Sequence, residues 1–113
     1  MSQEMFTYHG IFSDYPNCNF VVRRYGSPKN IYIGIVSRDE GPICHCTINT
    51  QCELPDDRIA VKDYSENEGM VERLKELDII TGDPVEYISS GFVDIGVYML
   101  SEKGKKLVQE SLS

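Results

Sequence analysis

The chain has 113 residues, 41% apolar and 26% charged, with a formal net charge of -7. That length predicts a single domain, residues 1–113, able to bury a core without disulfides or metal, and the composition is not that of a disordered chain. The acidic balance excludes a phosphate-tracking DNA or RNA binder, which needs clustered Lys and Arg.

Taken in order, residues 6–12 alternate well enough for a first strand, and Asp14, Pro16 and Asn17 supply turn chemistry after it. Residues 19–25 read as a second strand, broken at 26–30. Residues 31–37 form the clearest strand, β-branched and aromatic almost throughout. Asp39, Glu40, Gly41 and Pro42 turn it, and residues 43–50 give a fourth strand. Short turns between these strands predict an antiparallel meander.

An acidic loop at 53–57 and a short strand at 58–62 lead to the point where the pattern changes to a helical period. Ser65 and Glu68 have capping-box spacing, with the Ser65 hydroxyl expected to accept from the Glu68 N–H and the Glu68 carboxylate from the Ser65 N–H. Met70, Leu74 and Leu77 then form one apolar stripe, widened by Val71. Thr81, Gly82, Asp83 and Pro84 read as the end of that unit. Residues 85–88 and 91–100 read as further strands, with Gly91 and Gly96 marking a bulge, bend or close approach. Ser101 caps a last helix, 102–112, which would dock through Leu107, Val108 and Leu112 although Lys103, Lys105 and Lys106 oppose its dipole. The fold class is therefore α+β: an antiparallel sheet with one capped helix packed on it and a second helix at the C-terminus.

Cys44, His45, Cys46, Cys52, Cys18 and His9 have the residue types of a zinc site but not the spacing. At i and i+2 in a strand, Cys44 and Cys46 share one face and His45 takes the other. They read as small core hydrophobes, with metal and redox or nucleophilic roles as alternatives, and Cys18 and Cys52 read as the more exposed thiols. No metal and no cofactor is expected. The polar Met1-Ser2-Gln3-Glu4 start, with no signal-type apolar region after it, and the lack of any apolar run near the roughly 20 residues of a membrane span predict a cytoplasmic protein with reduced thiols.

From 53 to 78 there are nine acidic residues against four basic ones. They read as a solvated face or as a binding surface for a basic partner. Asp63, Tyr64 and Asn67 have structural readings (cap or Lys62 partner, hydrophobic staple, surface), and the alternative is a rigid polar epitope at a helix start. No GxGxxG, P-loop, GxSxG or HExxH occurs, and neither histidine has a Ser or Cys arranged for catalysis, so no catalytic residue is assigned and an enzyme is not expected.

Lys62-Asp63-Tyr64-Ser65-Glu66-Asn67-Glu68-Gly69-Met70 resembles the signature of a family of small acidic proteins, a domain of unknown function carried on bacterial phages, plasmids and conjugative elements. Weaker flanking similarity lies in residues 41–49 and in 91–93 with 98–100, so the resemblance covers residues 18–100. The family's strand ahead of the signature carries apolar and small residues where this chain has Cys44 and Cys46, which favours their packing role. The resemblance brings no catalytic or ligand residues. It implies an accessory protein of a mobile element, a setting in which small acidic proteins inhibit host defence, anti-CRISPR proteins among them.

The expectation is a non-enzymatic binding protein that contacts a basic surface on a nucleic-acid-handling complex, such as a CRISPR effector, without touching nucleic acid or membrane. Its candidate contacts are Asp56, Asp57, Asp63, Tyr64, Glu66, Asn67, Glu68 and Glu72. The alternative is a regulator or assembly factor of the element itself, acting as a homodimer or through a small ligand.

Overall fold

The computed structural model describes residues 5–10 and 12–112, and the side chains of all of these but Glu66. Ile11, inside the expected first strand, lies outside the described residues. The fold is α+β, with two antiparallel sheets and two helices. Strands β1 (Phe6–His9), β2 (Asp14–Arg24), β3 (Ile31–Ser37) and β4 (Gly41–His45) form the meander, in the order β1-β2-β3-β4. Ile31, Ile33 and Ile35 of β3 all point into the core. Burying each is worth about 1.5–3 kcal/mol, and a one-residue slip would turn all three to the other face, so the alternation itself fixes the register.

Asp14, Pro16 and Asn17 do not form the turn expected of them: they lie inside β2, and ahead of it the Gly10 N–H meets the Ser13 carbonyl at 2.9 Å. The pairing of β3 with β2 runs from Cys18 to Arg24, so Pro16 sits where β2 is paired on one side only and its missing donor costs no central ladder bond. Asn17 takes a left-handed φ of 57°, and the β1–β2 register shifts between Phe6 and Tyr8.

The fourth strand is shorter than 43–50. After His45 the chain leaves the meander and bridges to a second sheet: Thr47 pairs with Val61, the Ile48 N–H reaches the Ala60 carbonyl, and the Lys62 N–H reaches the Cys46 carbonyl at 2.9 Å. That sheet has the order β5-β7-β6, from β5 (Arg58–Ala60), β6 (Ile80–Ser90) and β7 (Val93–Leu100). Thr81 to Pro84 do not end a unit. They form an irregularity inside β6, whose register with β7 shifts between Thr81 and Glu86. Gly91 sits in the β6–β7 turn.

Helix α1 (Met70–Glu76) buries Met70, Val71 and Leu74, and α2 (Glu102–Leu112) buries Val108 with Leu107 and Leu112 packed at the edge of the same core. Ser101 caps α2 as expected: its hydroxyl accepts from the Gly104 N–H at 3.0 Å and donates to the Asp78 carbonyl at 2.6 Å. Lys103, unfavourable for the dipole of its own helix, donates to the Leu77 carbonyl at 3.1 Å and so serves the C-terminal end of α1. No helix among the described residues is long and apolar enough to cross a membrane.

The start of α1 corrects the capping-box expectation. Residues Ser65–Asn67 form a short 3-10 turn instead, Ser65 has a left-handed φ of 57°, and α1 begins only after Gly69 (φ 90°). The cap is Asp63, whose carboxylate accepts from the Gly69 N–H at 2.6 Å and the Met70 N–H at 3.1 Å. A reach of six and seven residues replaces the three-residue box because the 3-10 turn occupies the space between. Asp63→Ala is therefore expected to cost about 0.5–2 kcal/mol and Ser65→Ala well under that. Paired chemical melts check this, and the reverse ranking would restore the capping box.

Candidate functional site

The eight residues expected to meet a partner do not form one surface. Asp56 and Asp57 lie at the Leu100 end of β7, where the Leu100 N–H bonds the Asp57 carbonyl. Both are paired: Arg24 grips Asp56 through two bonds of 3.0 and 2.9 Å, and Arg58 Nε meets Asp57 at 2.9 Å. Hydrogen bonds from these arginines hold both carboxyls below the usual carboxylate range, so neither offers uncompensated charge. Asn67 is not a surface residue. It is 3% exposed, and its side-chain amide donates to the His45 carbonyl, tying the 3-10 turn to the end of β4. The Glu66 side chain is not described.

Asp63, Tyr64, Glu68 and Glu72 remain together at the other end of the sheet. Asp63, Glu68 and Glu72 are exposed and Tyr64 is half-buried, with Lys62 lying 5.8 Å from its ring centroid. Asp63 and Tyr64 line a pocket of about 280 Å³ whose other walls are Val61, Val71, Tyr87, Val93, Asp94 and Tyr98, with Gly96 between them. The strand period builds its floor. Asp94, Gly96 and Tyr98 fall on one face of β7, and Tyr87 of β6 stands opposite Gly96 in the register. A Cβ at Gly96 would sit 2.9 Å from Cε1 of the Tyr98 ring, so the glycine is what lets that ring lie over the floor.

The electrostatics of this pocket are acidic. Tyr98 is 9% exposed, and desolvation, then the neighbouring Tyr87, Asp63, Asp83 and Glu72, raise its phenol above the ordinary range and keep it neutral. Its hydroxyl makes no hydrogen bond to another described residue, and one face of its ring carries Lys75 at 5.7 Å. Among the described residues, the Asp94 carboxylate accepts a side-chain hydrogen bond from the Ser89 hydroxyl alone, at 3.0 Å. Beside the pocket, β6 is an edge strand with Val85 and Tyr87 48% and 65% exposed, and Phe92 at the hairpin tip is fully exposed. Tyr87, Asp94 and Tyr98 were not among the expected contacts. The sequence signal was present in the i, i+2 spacing of Asp94, Gly96 and Tyr98, but the hairpin register that adds Tyr87 depends on the irregularity at 82–85.

The cysteines and histidines do not converge. Among the described residues no three His, Cys, Asp or Glu side chains are grouped to hold a metal ion. His45 leaves the cysteine face for the Tyr32 hydroxyl at 2.6 Å, and His9 pairs with Asp14 at 3.0 Å. Cys46 is fully buried and Cys44 half-buried, both against the main core. Cys18, read from the sequence as an exposed thiol, is instead fully buried with its sulfur 3.2 Å from the Tyr15 carbonyl, because residues 14–17 are strand rather than turn; Cys52 is exposed. No family model, no curated protein and no solved structure matches this chain.

Proposed function

We propose that this chain is a non-enzymatic binding protein that presents the acidic, tyrosine-lined face around Gly96 to a basic surface on a protein partner. The observation that supports it is the gathering of Asp63, Glu72, Asp83 and Asp94 around the Tyr64, Tyr87 and Tyr98 pocket, on a chain of net charge -7. Carboxylates beside the exposed Tyr87 ring suit a guanidinium or ammonium side chain, while the Tyr64 and Tyr98 rings already carry Lys62 and Lys75. The resemblance carried by Lys62–Met70 supports an origin on a mobile element, and with it a nucleic-acid-handling complex of the host, such as a CRISPR effector, as the partner. Asp56 and Asp57 drop out of the proposed contact set because their arginines already neutralise them.

The test is a tagged pull-down from bacterial lysate across a salt series. The wild type is expected to hold a partner that is released as salt rises, since exposed charge pairs are screened within about 8–10 Å. Glu68→Lys, Glu72→Lys and Asp94→Lys together should abolish that capture, while Asp56→Asn with Asp57→Asn should leave it unchanged. Equal binding by the triple variant and the wild type would refute the reading. The exposed Val85, Tyr87 and Phe92 along the β6 edge support a second reading, a regulator that pairs with another copy of itself. Light scattering separates the two, because only the second predicts a dimer.

A further inference from the structure

The pocket at Gly96 holds a polar group that the fold leaves unused. Tyr98 is 9% exposed and lines the cavity, yet its hydroxyl has no hydrogen-bond partner among the described residues. The glycine fixes where that hydroxyl stands. A Cβ at Gly96 would lie 2.9 Å from Cε1 of the ring and 3.5 Å from the phenolic oxygen, so the ring folds back over residue 96. Gly96 is itself part of the cavity wall, with Tyr87 opposite it in the register, and the oxygen is therefore set on the pocket floor. A buried hydroxyl without a partner opposes folding, and most buried polar side chains avoid that state. This one faces a cavity of about 280 Å³.

The charged groups among the described residues that line it, Asp63 and Asp94, are both acids. Asp94 accepts from the Ser89 hydroxyl at 3.0 Å, and Asp63 from the Gly69 and Met70 N–H groups at 2.6 and 3.1 Å. All three bonds fall on Oδ1, and the Oδ2 of each carboxylate accepts from no described residue. Lys62 and Lys75 lie over the Tyr64 and Tyr98 rings, but neither lines the cavity. Those ring faces are occupied, while the second carboxylate oxygens and the Tyr98 phenol are left to meet a ligand. Val61, Val71 and Val93 complete the walls with apolar surface.

We infer that this pocket takes a single arginine side chain of the protein partner. The inference rests on the reading above, that the Gly96 face meets a basic protein surface, and it names the group that enters. The acceptors stand on two separate segments, Asp94 and Tyr98 on β7 and Asp63 ahead of the 3-10 turn. A guanidinium carries five N–H donors in a fixed plane and can reach several such acceptors at once, while its methylene stem lies on the valines. Its flat face also suits the exposed Tyr87 ring. An ammonium is a compact, strongly hydrated point charge and gains less from acceptors set apart in this way. One guanidinium N–H gives the Tyr98 hydroxyl the partner that the fold does not supply.

The isotope-labelled full chain is titrated with N-acetyl-arginine methylamide at physiological salt, and its backbone amide shifts are followed by NMR. Saturable shifts are expected at Ser89, Asp94, Gly96 and Tyr98, with the matching lysine derivative binding at least about fivefold more weakly. Tyr98→Phe keeps the ring and its Lys75 contact, and should weaken arginine binding about tenfold, because hydrogen bonds to charged groups are the stronger class. Its urea midpoint should not fall, since the hydroxyl satisfies nothing in the fold. Lost stability with unchanged arginine affinity, the mark of a residue that only packs, overturns the inference. So do equal affinities for the two derivatives, and shifts that scatter over the acidic surface without saturating. Agmatine, a free guanidinium compound, is the second arm: binding about tenfold tighter than the capped arginine assigns the pocket to a small molecule and overturns the side-chain source. Failure here is separable from failure of the broader reading. Partner capture that Glu68→Lys with Glu72→Lys abolishes, beside a pocket silent to the arginine derivative, keeps the acidic face and overturns the pocket. Arginine binding at the pocket with no captured partner supports the pocket and overturns the broader reading.

Discussion

Gly104→Ala is expected to destabilise the protein by about 1–3 kcal/mol, or roughly 4–12 °C in Tm, although alanine is the better helix former by about 1 kcal/mol. The reason is the contact beneath the first turn of α2. A Cβ there would overlap the Ile79 carbonyl oxygen, lie 3.1 Å from its carbon and press on Leu100 Cδ2 at 3.3 Å. Neither side yields cheaply. The Ile79 carbonyl is held by the Ser101 N–H at 2.9 Å and the Ile79 N–H by the Leu74 carbonyl at 2.9 Å, while the Gly104 N–H is fixed on the Ser101 hydroxyl. Making room would break the cap of α2 and lift Val108 from the core. Gly26→Ala is the control, since nothing lies within 4 Å of a Cβ there and no positive φ is needed. Urea melts of the two variants decide the matter, and a Gly104→Ala protein as stable as the wild type would show that α2 docks differently.

The contrast between these two glycines shows where the sequence was readable. Elements whose periodicity is local came through: residues 31–37 form β3 with the expected bounds, Met70 and Leu74 make the buried stripe of α1, and Ser101 caps α2. Features decided by distant partners did not. Asp14, Pro16 and Asn17 have turn chemistry, yet pairing with β1 on one side keeps them in a strand. Ser65 and Glu68 have the spacing of a capping box, yet the helix start was set by Asp63 and by an asparagine that needed a buried carbonyl. The acidic character of the candidate face was legible from charge counting. Its membership was not, because the Asp56 and Asp57 carboxylates are paired with Arg24 and Arg58, and Arg24 is remote in sequence, while Tyr87 joins only through the register of β6 on β7.

Asn67→Ala is expected to cost about 1–3 kcal/mol, because it removes a buried hydrogen bond. Its amide is the only side-chain donor to the His45 carbonyl among the described residues, and the residue is buried. Alanine leaves that carbonyl without its side-chain donor, beside the pocket that His45 and Asn67 line. Asn67→Asp keeps the shape and separates hydrogen bonding from packing. A carboxylate at this position faces the carbonyl oxygen and pays desolvation, so its pKa in the folded state must lie above the unfolded value of about 3.9. The sign of the pH dependence follows: the neutral acid can still donate to the carbonyl, so the variant is least impaired below about pH 4 and loses stability as pH rises toward the raised folded-state pKa. Relative to the wild type at each pH, Asn67→Asp should therefore be milder than Asn67→Ala in acid and worse at pH 7. Thermal melts at pH 4 and pH 7 check both orders, and a pH-independent difference would mean that residue 67 reaches solvent. The capping geometry needs only Asp63, Gly69 and Met70, so what the spelling of this stretch adds is Asn67, which fixes the 3-10 turn against β4 and thereby sets where Tyr64, Glu68 and Glu72 stand on the acidic face.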